Sequence, residues 1–241
     1  MSDVITSTPS LTFLLGGFGA GKTELSLNLA LKTAELKGKS SSVLVDLDIV
    51  NPFFRVRKLL DEMESYGVKV IVPEKRVRSG DIPALPAEAW GAFQDTTRWV
   101  YNDIGGGEPG LRLLGRIREE SEKRHSRVLF VINPFRPGYT DIKQITENFL
   151  HLQNFSALKA THIVANPHLS DETDADVFCS GMKKVMLLSE NVNIPVLFSM
   201  ASEHLAEKLS SEKSNKFSDV EVFPIRRFWK TPWLFGIKKE E

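Results

Sequence analysis

The sequence has a single cysteine, no long apolar run and no excess of charge of either sign. Cys179 has no second cysteine with which to form an intrachain disulfide, and the N-terminal residues lack the basic start and apolar run of a signal peptide. No stretch approaches the ~18 apolar residues of a membrane span. Because 31 basic side chains balance 31 acidic ones, wholesale binding to nucleic-acid phosphates is not indicated. These absences predict a cytoplasmic protein without a transmembrane segment.

The sequence also lacks the patterns of metal-cluster and repeat proteins. Its 5 histidines follow no metal-ligand spacing and none lies beside the cysteine, which argues against a structural zinc or an iron-sulfur cluster. We find no internal repeat and no low-complexity segment. One domain over residues 1–241 is therefore the simplest organisation, with a core over about residues 11–224 and a C-terminal tail over 225–241.

Short apolar runs alternate with helical patterns along the chain, as in proteins with a parallel sheet. The predicted strands are Leu11–Leu15, Val43–Leu47, Val68–Val72, Trp99–Tyr101, Val128–Ile132, Thr161–Val164 and Val196–Phe198. The predicted helices include Glu24–Lys37, Pro52–Tyr66, Tyr139–Gln153 and Ala175–Asn191. The alternation predicts an α/β fold with a doubly wound, mostly parallel sheet of about seven to eight strands and helices on both faces.

One of these helices has an ambiguous pattern. Its leucines alternate as they would in a strand, at Leu25, Leu27, Leu29 and Leu31. The segment is nevertheless rich in good helix formers, and Gly38 follows where a helix would end. We therefore predict a helix that packs on two sides.

The first predicted strand leads directly into a glycine-rich loop, Gly16-Gly17-Phe18-Gly19-Ala20-Gly21-Lys22-Thr23. This is the phosphate-binding pattern of Gly, four residues, Gly, Lys and Ser/Thr. Glycines suit such a loop because side chains would keep its backbone N–H groups from a phosphate. Lys22 would supply a charge to the β and γ phosphates, and Thr23 a hydroxyl to Mg²⁺. Residues 16–23 and the adjacent Glu24 are thus a predicted nucleotide site; a glycine-rich turn without a ligand is the alternative.

Two acids, Asp46 and Asp48, follow the second predicted strand. Period-two spacing puts them on one side of the strand, at the carboxyl edge where ligands of such sheets bind. At this point the chain resembles the MinD and ParA side of the SIMIBI class of P-loop proteins, where Asp-x-Asp follows the second strand. The resemblance implies that Asp48 orients or deprotonates the water that attacks the γ-phosphate, and that Asp46 supports the magnesium shell. For each acid, a cap on the turn is the alternative.

A third acid, Asp103, follows the predicted strand at Trp99–Tyr101 and precedes Gly105-Gly106-Gly107. The resembling proteins carry an Asp, three residues and a Gly here. This implies that Asp103 holds a magnesium-bound water and that Gly107 senses the γ-phosphate. Without the resemblance, a flexible turn is the simpler interpretation. The implied metal site consists of Thr23, Asp46, Asp48 and Asp103.

Asn166-Pro167 follows the sixth predicted strand and is our candidate for contacting the base. The resembling proteins present an Asn to the nucleotide base at this place, whereas an ordinary Asn-Pro turn is the alternative. The GTP-binding signature Asn-Lys-x-Asp is absent, since Pro167, His168 and Leu169 follow Asn166. The sequence therefore favours ATP over GTP.

Gly17 is a departure from MinD and ParA proteins, which carry at this position a signature lysine that reaches across an ATP-dependent dimer. A homodimer of that kind stays open as an alternative, but it cannot be assumed, because this lysine is missing. We expect Arg55, seven residues beyond Asp48, to supply the missing catalytic cation; a solvated or ion-paired helix residue is the alternative. Arg57 and Arg136 are further candidates.

A nearer likeness is to small bacterial proteins with Gly-Gly-Phe-Gly-x-Gly-Lys-Thr and Asp-Leu-Asp-x-x-Asn-Pro-x-Phe-Arg, often labelled CobQ-type or nucleotide-binding. The predicted function is a magnesium-dependent ATPase that acts as a slow switch for an unidentified protein partner. Two alternatives remain open: a ligase or kinase of dethiobiotin synthetase or CobQ type that phosphorylates a small carboxylate near Asp48 and Asp81, and a scaffold with negligible hydrolysis. The Pro73–Phe93 segment is either a substrate or partner loop or a crossover connection.

Overall fold

The computed structural model describes residues 4–48, 60–72, 85–139, 141–169, 172–211, 217 and 219–228. Within these ranges strands and helices alternate along the chain. The strands are β1 (Leu11–Leu15), β2 (Ser42–Leu47), β3 (Lys69–Ile71), β4 (Trp99–Ile104), β5 (Ser126–Ile132), β6 (His162–Ala165), β7 (Val196–Ser202) and β8 (Val222–Ile225). The helices are α1 (Lys22–Lys37), α2 (Leu60–Ser65), α3 (Ala87–Gln94), α4 (Glu108–Lys123), α5 (Ile142–Phe155), α6 (Ala175–Val192) and α7 (Glu203–Ser211).

The strands form one sheet in the order β3-β2-β4-β1-β5-β6-β7-β8, and every pair is parallel. The predicted α/β fold with a parallel sheet is therefore confirmed. All carboxyl ends of the strands lie at one edge, and β1, with the glycine-rich loop at its end, lies between β4 and β5. This order brings the ends of β4 and β5 beside the loop.

The core has two layers, one on each face of the sheet. Side chains alternate along β1, so that Phe13 packs into one layer and Leu14 into the other. The Phe13 layer includes the buried faces of α3 to α7, with the Phe130 and Phe149 rings 4.6 Å apart. The Leu14 layer includes α1 and Met63 of α2. Helices on both faces leave the strands buried, as in other parallel sheets.

The helix α1 packs on two sides, as its sequence predicts. Its four alternating leucines are all buried, although they lie on different faces of the helix. On the sheet side, the hydroxyls of Thr33 and Tyr101 are 2.6 Å apart. Burial raises the pKa of Tyr101 to about 12, so this phenol is neutral at physiological pH. The helix ends at Lys37 and is capped by Gly38, whose φ is 101° and whose N–H donates to the Ala34 carbonyl at 3.0 Å.

The structure differs from the predicted elements in several places. The helices α3, α4 and α7 and the strand β8 were not among them, and β4 runs on to Ile104. Part of the predicted Pro73–Phe93 loop is the helix α3, while residues 73–84 lie outside the described ranges. The predicted helix Pro52–Tyr66 is described only over α2. The strand β8 ends at Ile225, one residue beyond the predicted core limit at residue 224. The organisation of the chain as a single domain stays a prediction.

None of the described helices combines the length and apolar character that crossing a lipid bilayer requires.

Candidate active site

The segment between β1 and α1 has a backbone course that depends on glycine. Gly16, Gly19 and Gly21 have φ angles of 140°, 70° and 100°, a region that side-chain-bearing residues rarely adopt. A Cβ on Gly16 would also collide with the Val131 carbonyl oxygen. The loop leads into the first turn of α1, where backbone N–H groups and the helix dipole favour an anion. The course of the predicted phosphate loop thus requires glycine at these three positions, while its binding of a phosphate stays a prediction.

Lys22 folds back over this loop. Its Nζ donates hydrogen bonds to the carbonyl oxygens of Gly16 and Gly17, each at 3.0 Å. The side chain is buried, so its charge is held inside the curve of the loop rather than in bulk water. This is the position from which an ammonium group reaches the phosphates of a ligand seated on the loop.

Thr23 connects the first turn of α1 to the end of β4. Its Oγ1 donates to Oδ2 of Asp103 at 2.7 Å, and Asp103 is only 2% exposed. A hydroxyl oxygen beside a carboxylate is a donor set that fits Mg²⁺, which usually takes one or two protein carboxylates and completes its octahedron with waters and phosphate oxygens. The structure therefore brings two of the predicted metal ligands into contact.

Asp46 and Asp48 have different surroundings. Asp46 is buried and lies beside Asp103 in the β2–β4 register. Its Oδ1 accepts a hydrogen bond from the backbone N–H of Asp48 at 3.0 Å, which is a turn-capping contact. A Cβ on Gly105 would lie 2.8 Å from Oδ1 of Asp48, so the Asp48 carboxylate lies against the loop that follows β4.

These aspartates do not form one compact ligand set. Among the described residues, no group of three or more His, Cys, Asp or Glu side chains is arranged to hold a metal ion. Thr23 and Asp103 are therefore the pair that fits a cation best, while the metal roles of Asp46 and Asp48 stay predictions.

One of the three glycines after β4, Gly106, packs against the phosphate loop. A Cβ on Gly106 would lie 2.8 Å from the backbone N of Phe18 and 3.1 Å from the carbonyl carbon of Gly17. Gly107 caps α4 with an extended backbone, and a Cβ there would meet Pro109 at an ordinary 3.6 Å. Gly106 is thus the glycine whose small size this packing requires, and the predicted γ-phosphate role of Gly107 stays a prediction.

Asn166 connects the end of β6 to the phosphate loop. Its Nδ2 donates to the carbonyl oxygen of Ala20 at 2.8 Å, and the side chain is buried. A Cβ on Gly21 would collide with this amide. Asn166 therefore does more than turn the chain before Pro167, although its contact with a base stays a prediction.

A pocket of about 710 Å³ opens beside Asn166, which is within the usual range of small-molecule sites. It extends from the phosphate loop and α1, past the loops that follow β5 and β6, to the ends of β7 and β8. Its lining residues are Gly19, Gly21, Glu24, Asn133, Phe135, Arg136, Asn166, Pro167, His168, Leu169, Glu172, Thr173, Met200, Ala201, Ser202, His204, Leu205, Ile225 and Arg227.

Part of this lining was missed from the sequence. Met200 and Ile225 lie at strand ends, but in the sequence they have the pattern of ordinary core residues. For Met200, its place near the carboxyl end of β7 was the available signal, because ligands of parallel sheets bind at that edge, whereas Ile225 lies on β8, which was not predicted. Among the predicted residues, Arg55 lies outside the described ranges, as do Arg57 and Asp81. Their roles stay predictions.

No protein-family model and no curated protein matches the chain. Solved structures do match. The chain is similar to the cell division protein FtsY of Thermotoga maritima, with a TM-score of 0.52 and 18% identity over 83% of this chain and 64% of that one. It is similar to chloroplast FtsY of Physcomitrella patens, with a TM-score of 0.56 and 14% identity over 83% of this chain and 61% of that one. It is also similar to FlhF solved with GTP and Mg²⁺, with a TM-score of 0.51 and 15% identity over 83% of this chain and 68% of that one.

At such low identities the likeness shows the fold. The fold that the chain shares with these neighbours agrees with the predicted SIMIBI-type fold, while membership of that class stays a prediction. The comparisons give no support to the CobQ-type label. The chain spans 64% and 61% of the lengths of the two FtsY proteins.

Proposed function

We propose that the chain is a magnesium-dependent P-loop ATPase that hydrolyses ATP to ADP and phosphate, slowly, as a switch for a protein partner. The observation that carries this proposal is the 2.7 Å hydrogen bond from Thr23 Oγ1 to Asp103 Oδ2, next to Lys22 in the phosphate loop. A glycine-rich loop alone is a site for an anion. The adjacent pair of oxygens adds a site for the divalent cation that accompanies a nucleoside triphosphate.

In this proposal the loop holds the phosphates with its backbone N–H groups and with Lys22. The ammonium exchanges its bonds to the carbonyls of Gly16 and Gly17 for bonds to phosphate oxygens. Because phosphate oxygens carry negative charge and the carbonyl oxygens do not, the ammonium is attracted more strongly to the phosphate, and this exchange favours the bound state. The same charge stabilises the negative charge that develops on the phosphoryl group during transfer.

Hydrolysis in this proposal depends on Asp48. Bound Mg²⁺ would supply charge neutralisation on the phosphates, held through Thr23 and Asp103. The Asp48 carboxylate orients the attacking water by accepting its hydrogen bond. The hydrogen bond from the Asp48 backbone N–H to Asp46 Oδ1 holds the backbone that carries this carboxylate in place. Positioning and charge stabilisation of this kind account for most of the catalysis in phosphoryl transfer.

ATP is proposed over GTP because of the residues after Asn166. Pro167, His168 and Leu169 take the place of the Lys-x-Asp that completes the guanine signature. FlhF was solved with GTP and Mg²⁺, so GTP is the nucleotide against which ATP must be compared. The pocket also contains the Glu172 carboxylate, and Glu172→Gln tests whether an acid outside the signature selects guanine.

Titration calorimetry with MgATP and MgGTP tests the proposed binding. We expect ATP to bind more tightly than GTP to the parent, with Glu172→Gln leaving ATP affinity unchanged. Lys22→Ala should weaken ATP by about 10- to 100-fold or more, since a hydrogen bond to a charged group contributes roughly 1.5–3 kcal/mol. Lys183→Ala is the matched control, because it removes the same charge from an exposed position on α6.

Two results would contradict this assignment. Equal ATP affinity in Lys22→Ala and Lys183→Ala would remove the phosphate loop from nucleotide binding. Tighter binding of GTP, lost in Glu172→Gln, would replace ATP by GTP as the ligand.

A further inference from the structure

Besides Lys22, a second positively charged side chain lies against the phosphate loop, and it comes from a segment that is distant in sequence. Arg136 belongs to the connection between β5 and α5, and it lines the pocket beside Gly19. This connection is held by its own hydrogen bonds: Arg136 N–H donates to the Asn133 carbonyl at 3.3 Å, and Tyr139 N–H donates to the Arg136 carbonyl at 3.0 Å. The side chain of Asn133 in turn accepts from the N–H of Phe135 at 3.0 Å. The position of Arg136 is therefore fixed by the fold of the connection.

The Arg136 guanidinium packs on the backbone of Gly19. A Cβ on Gly19 would collide with Cζ and Nη2 of Arg136 and would lie 2.8 Å from its Nε. Gly19 also has a φ of 70°, so both its backbone and its surroundings require a residue without a side chain. Loop and guanidinium are thus in direct contact at Gly19, in the middle of the predicted phosphate loop.

The charge of Arg136 has no acidic partner among the described residues. No carboxylate in those ranges forms an ion pair with it. Its neighbour Tyr139 is neutral, because burial raises the pKa of this phenol although the Arg136 charge acts in the opposite direction. A half-buried cation gains from a counter-charge, and the phosphate loop is where this structure is built to receive one.

The geometry points to Arg136 as a phosphate-contacting residue that the chain supplies to its own nucleotide site. This inference rests on the proposed function and adds a second cation to Lys22, the only cationic side chain within residues 16–23. The planar guanidinium can donate two parallel hydrogen bonds to phosphate oxygens, which an ammonium cannot do with the same geometry. Tyr139 lies beside it: a Cβ on Gly17 would be 3.3 Å from the Tyr139 hydroxyl.

Three variants test this inference in the full-length protein: Arg136→Ala, Arg136→Lys and the control Arg116→Ala. Arg116 is exposed on α4, so its removal costs the same charge away from the pocket. We expect Arg136→Ala to weaken MgATP binding by about tenfold or more, or to slow turnover by at least that factor, because it removes charge-assisted hydrogen bonds. Arg136→Lys should retain part of the parent's value and Arg116→Ala all of it.

A further readout separates phosphate contact from a purely structural role. Millimolar guanidinium ion should restore part of the lost binding or turnover in Arg136→Ala, and none in Lys22→Ala. Thermal unfolding without nucleotide should be the same for Arg136→Ala and the parent. Either of two results would overturn the inference. In the first, Arg136→Ala keeps the affinity and turnover of the parent. In the second, Arg136→Ala loses affinity or turnover, guanidinium does not restore the loss, and the variant unfolds at a lower temperature. A parent protein that binds no nucleotide would instead overturn the proposed function itself, and the inference with it.

Discussion

Asp48 is the residue whose proposed role separates hydrolysis from binding. Its carboxylate lies against the loop after β4, whereas the hydrogen-bonded pair proposed for the cation is Thr23 and Asp103. We therefore expect Asp48→Ala to retain MgATP affinity and to lose turnover by about 10²- to 10⁴-fold, the usual range for a positioned acid or base. Phosphate release at saturating MgATP, together with calorimetry, measures the two effects separately.

The control for this variant is Asp176→Ala, which removes an exposed carboxylate from the first turn of α6. Its turnover should match that of the parent. Equal turnover in Asp48→Ala and Asp176→Ala would exclude Asp48 from the reaction. A large loss of MgATP affinity in Asp48→Ala would instead make it a ligand of the bound cation.

Residue spacing predicted much of the candidate site. Lys22 and Thr23 are predictable because a phosphate loop needs its glycines, its lysine and its hydroxyl at fixed positions along one short segment. The strand-end position of Asp103 predicted that it would lie at the same edge, and its contact with Thr23 agrees. The packing of Arg136 on Gly19 could not be predicted, because it depends on the folded course of the connection between β5 and α5.

At the scale of elements, the segment after β8 is joined to α1. Asn28 Nδ2 donates to the Arg226 carbonyl at 2.9 Å, and Asn28 Oδ1 accepts from the Arg226 N–H at 2.8 Å. Glu24, one turn earlier, accepts from the Phe228 N–H at 3.2 Å through its Oε2. These bonds hold Arg227 at the pocket, so part of the predicted tail contributes to the site.

We expect Asn28→Ala to lower the free energy of unfolding by about 1–2 kcal/mol. The variant removes both hydrogen bonds between Asn28 and the Arg226 backbone, each of which contributes roughly 0.5–1.5 kcal/mol, while alanine's better helix propensity returns about 0.5 kcal/mol. Urea unfolding monitored by circular dichroism measures the difference.

Asn154→Ala is the comparison for this experiment, since Asn154 is exposed on α5. This variant should change the free energy of unfolding by no more than about 0.5 kcal/mol. If Asn28→Ala unfolds at the same urea concentration as Asn154→Ala, the contact with Arg226 does not stabilise the fold.

Elements with strong local patterns were predictable, and short ones were not. The alternating leucines of α1 were correctly assigned to a helix because the composition outweighs the period-two spacing. The helix α4 also carried a usable signal, since Leu111, Leu114 and Ile117 are buried at helical spacing. β8 gave little signal: it is four residues long, includes Pro224 and is defined by its pairing with β7 at the edge of the sheet.

At the scale of the whole molecule, the parallel sheet explains why the site is assembled from distant segments. The loops after β1, β4, β5 and β6 meet at one edge because the strand order places β4 and β5 on either side of β1, and β6 next to β5. A two-layered core fixes these strands, so the loops begin from defined positions. The likeness to FtsY and FlhF extends over 83% of the chain and includes this architecture; the proposed reaction depends on the particular side chains at the edge.

The measurement that tests the central claim most directly is the release of inorganic phosphate from ATP by the full-length protein. It should be followed with Mg²⁺ and with excess EDTA, using Lys22→Ala as the baseline. We predict release that requires Mg²⁺, exceeds the Lys22→Ala baseline and is faster with ATP than with GTP. The account would be contradicted if the parent protein, shown by calorimetry to be saturated with MgATP, released phosphate no faster than Lys22→Ala does. The chain would then be a nucleotide-binding protein without hydrolysis.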